Sequence, residues 1–272
     1  MRSPARFSWL SAWLSIPSNM VRLIPLTIHR LFRSRERFRV MAMDRIAPRV
    51  VRIRFSPESG PLRPYRAGQF LFVRFDIPGL PQRTRPFTIS NPPGDSFIEI
   101  LIKGTDDWTL ALYDRAEGFL GRGSPWLAWL DYPYGVFTTE GAGAGPWVFL
   151  AAGIGIVPFL AMAGDRLRDD ARILIVWAAH NRDELAGFEQ LSAINTRRPS
   201  IRMVPVLAHD PLWTGRQGKL DRQALEELAG RELADPEARY WICCPVPLRR
   251  SLVKALKSLG VPGKHIRCEV FF

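Results

Sequence analysis

The sequence predicts an α+β protein of two domains: an N-terminal antiparallel six-stranded β-barrel, then a doubly wound parallel α/β domain. Three observations carry that reading. From residue 38 to about 140 the apolar pattern falls into short strand-length runs separated by turn-rich pieces. Residues 141–145, GAGAG, have the composition of a linker, and beyond them strand and helix patterns alternate to the C-terminus. The first strand after the linker ends in Gly153 and Gly155, with Pro158 placed for the first turn of a helix. The boundaries that follow are an arm over 1–37, a barrel over 38–140 and an α/β domain over 146–272.

The arm stands out by charge. The chain carries +12, yet residues 1–54 hold twelve arginines, no lysine and only Glu36 and Asp44, or +10. The remaining residues hold 26 basic and 24 acidic groups and are close to neutral. Over residues 1–38, Trp9, Trp13, Leu23, Leu31 and Phe32 alternate with arginines, a mixture suited to an anionic membrane surface. A helix packed on the protein's own surface and a disordered arm give the same composition. Nucleic acid is not expected, because the body supplies no matching basic groove. His29 stands alone and reads as a surface residue, and no metal site is expected. The most apolar stretch, residues 9–28, is broken by Pro17, Asn19, Arg22 and Pro25, which argues against a membrane span. Nor does a small-residue cleavage site follow it. Three cysteines, Cys243, Cys244 and Cys268, cannot build a disulfide framework or a four-thiolate cluster, so a reducing, cytoplasmic setting is the simplest.

The barrel strands read RFRVMAMDRI, VVRIRFS, QFLFVRF, RPFTIS, FIEILIK and WLAWLDY. Turn pieces PESGPLRPYRAG, DIPGLPQ and NPPGD divide them, and residues 108–117 form the one helical interruption. In the second domain, strands are expected over 148–152, 172–179, 201–208, 239–243 and 266–271. Helices are expected over 158–168, 182–194, 221–228 and 247–259. Such a sheet binds ligands at the carboxyl ends of its strands.

Two stretches have the residues for binding chemistry. The strand, glycine turn and helix start over 148–158 put free amides and a positive helix end where a phosphate can bind, although Pro158 replaces the third glycine of the usual dinucleotide fingerprint. An ordinary strand-to-helix turn has the same form. In the barrel, Arg85 and Phe87 share one face of a strand, so a guanidinium and a ring point the same way, and Thr88 offers a hydroxyl or amide. By itself this segment also reads as a plain edge strand.

Together the segments RPFTIS, KGTDDWTLAL, DYPYG, AAGIGIVPF, CCP and EVFF resemble the ferredoxin–NADP⁺ reductase superfamily over residues 36–272. Within it they are most similar to the dehydrogenase half of NADPH oxidases and ferric reductases. The resemblance implies FAD in the barrel and NADPH or NADH in the α/β domain. It places Arg85, Pro86, Phe87, Thr88 and Ser90 against the FAD, with Arg85 on its phosphates and Thr88 near N5. The backbone from Lys103 to Thr109 would close over the pyrophosphate. Gly153, Gly155 and Pro158 would receive the nicotinamide nucleotide, with Cys243 beside the nicotinamide. Phe272 would cover the flavin, with Glu269 a nearby acid; Thr88, Cys243 and Phe272 are thus the residues expected at the reacting atoms. Arg182 follows the second parallel strand and is a candidate for a 2′-phosphate, which leans toward NADPH, though Asp183 and Glu184 adjoin it. Arg216 and Lys219 are further candidates.

Two departures from the family pattern stand out: Cys244 and Tyr132 replace common glycines. The implied activity is an FAD-dependent NAD(P)H oxidoreductase, with hydride passing to flavin N5 and electrons leaving singly. No acid–base dyad is needed for it. Residues 21–38 look similar to the connector that follows the haem-binding helices of ferric reductases. The expected acceptor is therefore a transmembrane, cytochrome b-like haem subunit, met at the inner face of a membrane. Alternatives are a soluble reductase of ferredoxin, flavodoxin or ferric chelates, and a nonenzymatic flavin- or nucleotide-binding regulatory subunit.

Overall fold

A computed structural model describes residues 36–119, 126–143, 145–165 and 171–269. The expected arm, apart from its last two residues, and Phe272 lie outside the described residues. No described helix is long and apolar enough to cross a membrane.

The first sheet comprises β1 (Glu36–Ala47), β2 (Val50–Pro57), β3 (Phe70–Asp76), β4 (Thr84–Thr88), β5 (Ile98–Lys103) and β6 (Leu127–Tyr134), with α1 (Asp107–Ala116) between β5 and β6. Its order is β4-β3-β6-β1-β2-β5, and each neighbouring pair is antiparallel. Just past β4, Ile89 bridges to Ile100 on β5, so the two ends of the sheet meet and it closes as a barrel. Along β3 the pattern alternates, and Leu71, Val73 and Phe75 enter the core. Strand β5 departs from alternation: Glu99 is only 2% exposed among isoleucines and a leucine. It is tolerated because Arg54 Nε (2.8 Å) and the Ser90 hydroxyl (2.8 Å) donate to its carboxylate.

The second sheet comprises β7 (Trp147–Ala152), β8 (Ile173–Ala179), β9 (Ile201–Leu207), β10 (Arg216–Gln217), β11 (Arg239–Cys243) and β12 (Ile266–Glu269), ordered β10-β9-β8-β7-β11-β12 and wholly parallel. Between its strands lie α2 (Val157–Gly164), α3 (Phe188–Arg197), α4 (Arg222–Leu233) and α5 (Val246–Ser258). The pleat sorts the core. Phe149, Ile175, Trp177, Trp241 and Cys243 pack with α2 and α3, while Leu150, Val176, Tyr240, Ile242 and Cys244 pack with α4 and α5.

Two sequence expectations change here. The sheet has a sixth strand, because β10 is two residues long and too short to leave a pattern. The single helix expected over 182–194 is instead a 3₁₀ turn, Arg182–Glu184, followed by α3 from Phe188. Gly187 at φ +88° turns the chain between them, where Leu160 of α2 lies against it.

Helix α2 is the common core of the two sheets. Every residue from Val157 to Ala163 is buried, and the same apolar cluster includes Val50, Ala67, Leu101 and Phe137 from the barrel side. Trp241 Nε1 donates to the Thr138 carbonyl (3.1 Å), and Arg267 Nη1 donates to the carbonyls of Thr138 (2.7 Å) and Glu140 (3.2 Å). Gly68 has φ +94°, and a Cβ there would overlap both the Phe137 carbonyl and the Met162 methyl. Gly68→Ala is therefore expected to cost about 2 kcal/mol or more in urea unfolding. Gly60→Ala, with a positive φ but open space around it, should cost about half as much. Equal losses at the two sites would show that the junction is not tightly packed.

Candidate active site at the switch point of the parallel sheet

Strand β7 lies between β8 and β11, and the chain winds outward from it in both directions. Its carboxyl end is thus the switch point of the sheet, where a crevice opens between diverging connections. Gly153 leaves β7 at φ +52° and begins a 3₁₀ turn, Gly153–Ile156, that runs into α2 with Pro158 buried in its first turn. The Gly153 carbonyl is held by Trp177 Nε1 (2.9 Å), and nothing lies within 4 Å of where its Cβ would be. Gly155 is the opposite case: a Cβ there would overlap the Cys243 carbonyl at the end of β11. One glycine keeps the crevice open, and the other lets β7's turn touch the neighbouring strand.

Cys243 is opposite Ala151 on β7 and Glu269 on β12. Burial pushes its thiol well above the usual range, so it stays protonated at neutral pH. Cys244 points to the α4/α5 face, away from Gly155, so its bulk does not enter the crevice. Tyr132 is likewise turned inward: its ring packs on Phe38 (6.0 Å), and its hydroxyl accepts from the Arg63 amide (3.1 Å). Both residues that replace a common glycine are packed in apolar cores, Tyr132 in the barrel and Cys244 against α4 and α5.

On the barrel, β4 pairs with β3 on one side, and among the described residues its other edge pairs with no strand apart from the Ile89–Ile100 bridge. Arg85 and Phe87 do share a face, and Trp108 of α1 is what they meet. The guanidinium lies 4.9 Å over the indole, and the Phe87 ring is 6.4 Å from it at an interplanar angle of 8°. Trp108 is pinned by Nε1 donating to the Pro81 carbonyl (2.8 Å). Pro86 points outward, Thr88 is buried, and Ser90 is 0% exposed with its hydroxyl committed to Glu99. Ser90 thus shapes the barrel wall and does not present its hydroxyl at an open surface.

Residues 103–109 form the turn into α1. Lys103 ends β5, and the Gly104 amide donates to the Arg49 carbonyl (2.7 Å). Asp106 caps the helix by accepting from the Thr109 amide (2.9 Å), while Thr109 Oγ1 accepts from the amides of Thr105 (2.9 Å) and Asp106 (3.0 Å). Thr109 therefore holds the turn from within. The cap lowers the Asp106 carboxyl to about 2, helped by Arg85, which pairs with it. Asp106 thus engages the guanidinium that a bound phosphate would need.

At the ends of β8 and β9, Arg182 is gripped by Asp210. Its Nε and Nη2 donate to the two carboxylate oxygens at 2.9 Å each, and its amide adds a third bond at 3.2 Å. That fork holds the Asp210 carboxyl below the ordinary range. Its grip limits what Arg182 has left for a 2′-phosphate. Nearby in sequence, Asn181 Oδ1, Trp213 Nε1 and Arg216 Nε are buried without hydrogen-bond partners among the described residues. Such orphaned groups suit a polar ligand.

The donor sets fit a flavin dinucleotide on β4/α1 and a nicotinamide nucleotide at the switch point. The positions missed in the sequence reading are Trp108, Asp106, Trp177 and Asp210. Trp108 lies in the DWT segment that carried the resemblance; for the others, no spacing marks which carboxylate or indole will meet which partner.

Comparison with known proteins agrees. The FAD-binding domain family matches residues 35–138, and the oxidoreductase NAD-binding domain family matches residues 149–254. Ferredoxin–NADP reductase B of Sorangium cellulosum is 29% identical over 248 residues, which is 85% of this chain and 95% of that protein. The flavohemoprotein of Bordetella pertussis is 28% identical over 254 residues, covering 86% of this chain. The chain spans only 60% of that longer protein. Among solved structures, the flavohem-like FAD/NAD binding domain of nitric oxide dioxygenase from Vibrio cholerae matches with a TM-score of 0.73 at 20% identity, over 87% of this chain and 98% of that one. A ferredoxin NADP⁺ reductase from Neisseria gonorrhoeae with bound FAD and NADP matches with a TM-score of 0.70 at 20% identity, over 88% and 99%. Two matched domains in series, on this fold, show that the chain belongs to the ferredoxin–NADP⁺ reductase superfamily of FAD-dependent NAD(P)H oxidoreductases.

Proposed function

We propose that this chain moves reducing equivalents from NAD(P)H, through FAD, to a separate electron-carrier protein. The observation that supports it most is the junction of Gly155 with the Cys243 carbonyl, which leaves the switch-point crevice clear beside Gly153. When bound, the two cofactors supply the redox chemistry: a hydride step between their rings and release of electrons one at a time.

The protein's part is binding and alignment. Arg85 presents its fork to the FAD pyrophosphate once Asp106 yields it. Phe87, backed by Trp108, gives a flat wall for the isoalloxazine, and Thr88 ends β4 beside the Ile89–Ile100 bridge, where backbone groups can reach a ring nitrogen. Lys103 and the capped turn after it flank the pyrophosphate. Gly153, Gly155 and Pro158 admit the nicotinamide nucleotide, with the neutral Cys243 thiol and Glu269 beside its ring. Phe272 is assigned to the flavin face. No side chain has to move a proton for hydride transfer.

The acceptor is assigned by similarity. The Sorangium ferredoxin–NADP reductase is matched over nearly its whole length, which favours a small carrier protein of the ferredoxin kind. A membrane haem subunit is the second reading, favoured by the ten net positive charges of residues 1–54.

Anaerobic addition of NADPH or NADH to the FAD-loaded protein should bleach the flavin absorbance within seconds. A flavin that stays oxidised would falsify the enzymatic reading in favour of a regulatory subunit. Arg85→Ala is expected to weaken FAD binding at least about tenfold, while Asp106→Asn, which keeps a capping oxygen and frees Arg85, should tighten it a few-fold. Fluorescence titration of FAD reads both, and opposite signs would separate Arg85 from the phosphates. Asp210→Asn should raise the kcat/KM ratio of NADPH over NADH about tenfold by releasing Arg182. An unmoved ratio removes Arg182 from 2′-phosphate binding.

A further inference from the structure

Helix α5 carries a cationic stripe that no described acid pairs with. Arg249, Arg250, Lys254 and Lys257, with Val253 and Cys268 of β12, line an open groove of about 520 Å³. Arginines elsewhere in the described body are commonly matched to acids: Arg45 to Glu117, Arg54 to Glu99, Arg172 to Asp235, Arg216 to Glu227. None of the four groove cations has an ion-pair partner or a side-chain hydrogen bond among the described residues.

Helix physics explains only Lys257, which lies in the last turn of α5, where the dipole favours a cation. Arg249 and Arg250 sit near the N-terminus of α5, where the helix dipole disfavours cations, and the first turn holds no acid. Arg250 and Lys254 are four apart, and Lys254 and Lys257 three apart, so like charges face each other. The opposite side of the helix, with Leu252, Ala255 and Leu256, already packs on the sheet. Arg249, Arg250 and Lys254 thus gain nothing from the helix dipole, on a body whose charge is nearly balanced.

The groove's position adds to this. α5 begins three residues after Cys243, the last residue of β11. Cys268 is level with Ile242 on β11 and precedes Glu269, the neighbour of Cys243. β12 ends the strand order, so the groove runs along the sheet's outer edge and starts beside the candidate active site.

We propose that the α5–β12 groove is the docking surface for an acidic face of the electron-accepting protein. This rests on the reductase reading above. The four cations are complementary to carboxylates, and the open groove they line with Val253 and Cys268 has room for the side chains of a protein partner.

The full chain, loaded with FAD, is assayed with NAD(P)H and three acceptors: an acidic [2Fe–2S] ferredoxin, basic cytochrome c and neutral menadione. Arg249→Glu combined with Lys254→Glu should raise the KM for the ferredoxin about tenfold with kcat within about twofold, and the parent's KM should rise with ionic strength. Flavin bleaching and menadione turnover should not change, and the KM for cytochrome c should fall. The milder Arg250→Gln with Lys257→Gln guards against misfolding and should give a rise of a few-fold. The proposal is overturned if the parent does not reduce the ferredoxin, if its KM moves in neither variant, or if the variants lose only binding to phosphatidylglycerol vesicles. Absence of bleaching in the parent would instead strike the reductase reading.

Discussion

The structure depends on a close approach of two backbones. Gly155 lies so near the end of β11 that no side chain fits between it and the Cys243 carbonyl. That contact sets the angle at which the turn leaves β7 and therefore the direction of α2. α2 in turn is apolar all round because it packs under the sheet on one side and against barrel residues on the other. A single glycine thus links the switch-point crevice to the packing that holds the two sheets together.

The barrel's side of the site is organised differently, by an aromatic platform and a charge. Trp108 is immobilised by its indole hydrogen bond and receives both Arg85 and Phe87. The helix that carries Trp108 starts with a capping box whose acid also pairs with Arg85. Helix start, platform and guanidinium are thus one unit, and a change in any of them alters the others. The residues flanking it, Ser90 and Thr109, contribute from inside through Glu99 and the turn amides.

Electrostatics divides the body into two regimes. Within the site, the cations Arg85 and Arg182 are each restrained by a neighbouring carboxylate. On α5 the cations meet no carboxylate among the described residues, along an open edge. A restrained cation can be exchanged onto one ligand with a defined geometry. An unrestrained row acts over a wider area and suits a surface.

The order of strands and helices and the glycine turn were legible in the sequence, because apolar periodicity and backbone chemistry are local properties. The common face of Arg85 and Phe87 was legible too, since it follows from the two-residue repeat of a strand. The tertiary structure alone decided what those groups meet. Trp108, Asp106 and Asp210 come from separate elements, and only the barrel's closure and the parallel register place them beside Arg85, Phe87 and Arg182. It also packed Tyr132 into the barrel core and Cys244 against α4 and α5, because which side of the backbone a residue takes is set by pairing with its neighbours. Gly187 split one expected helix, and β10 added a strand, because packing against Leu160 and β9 outweighs a weak local pattern.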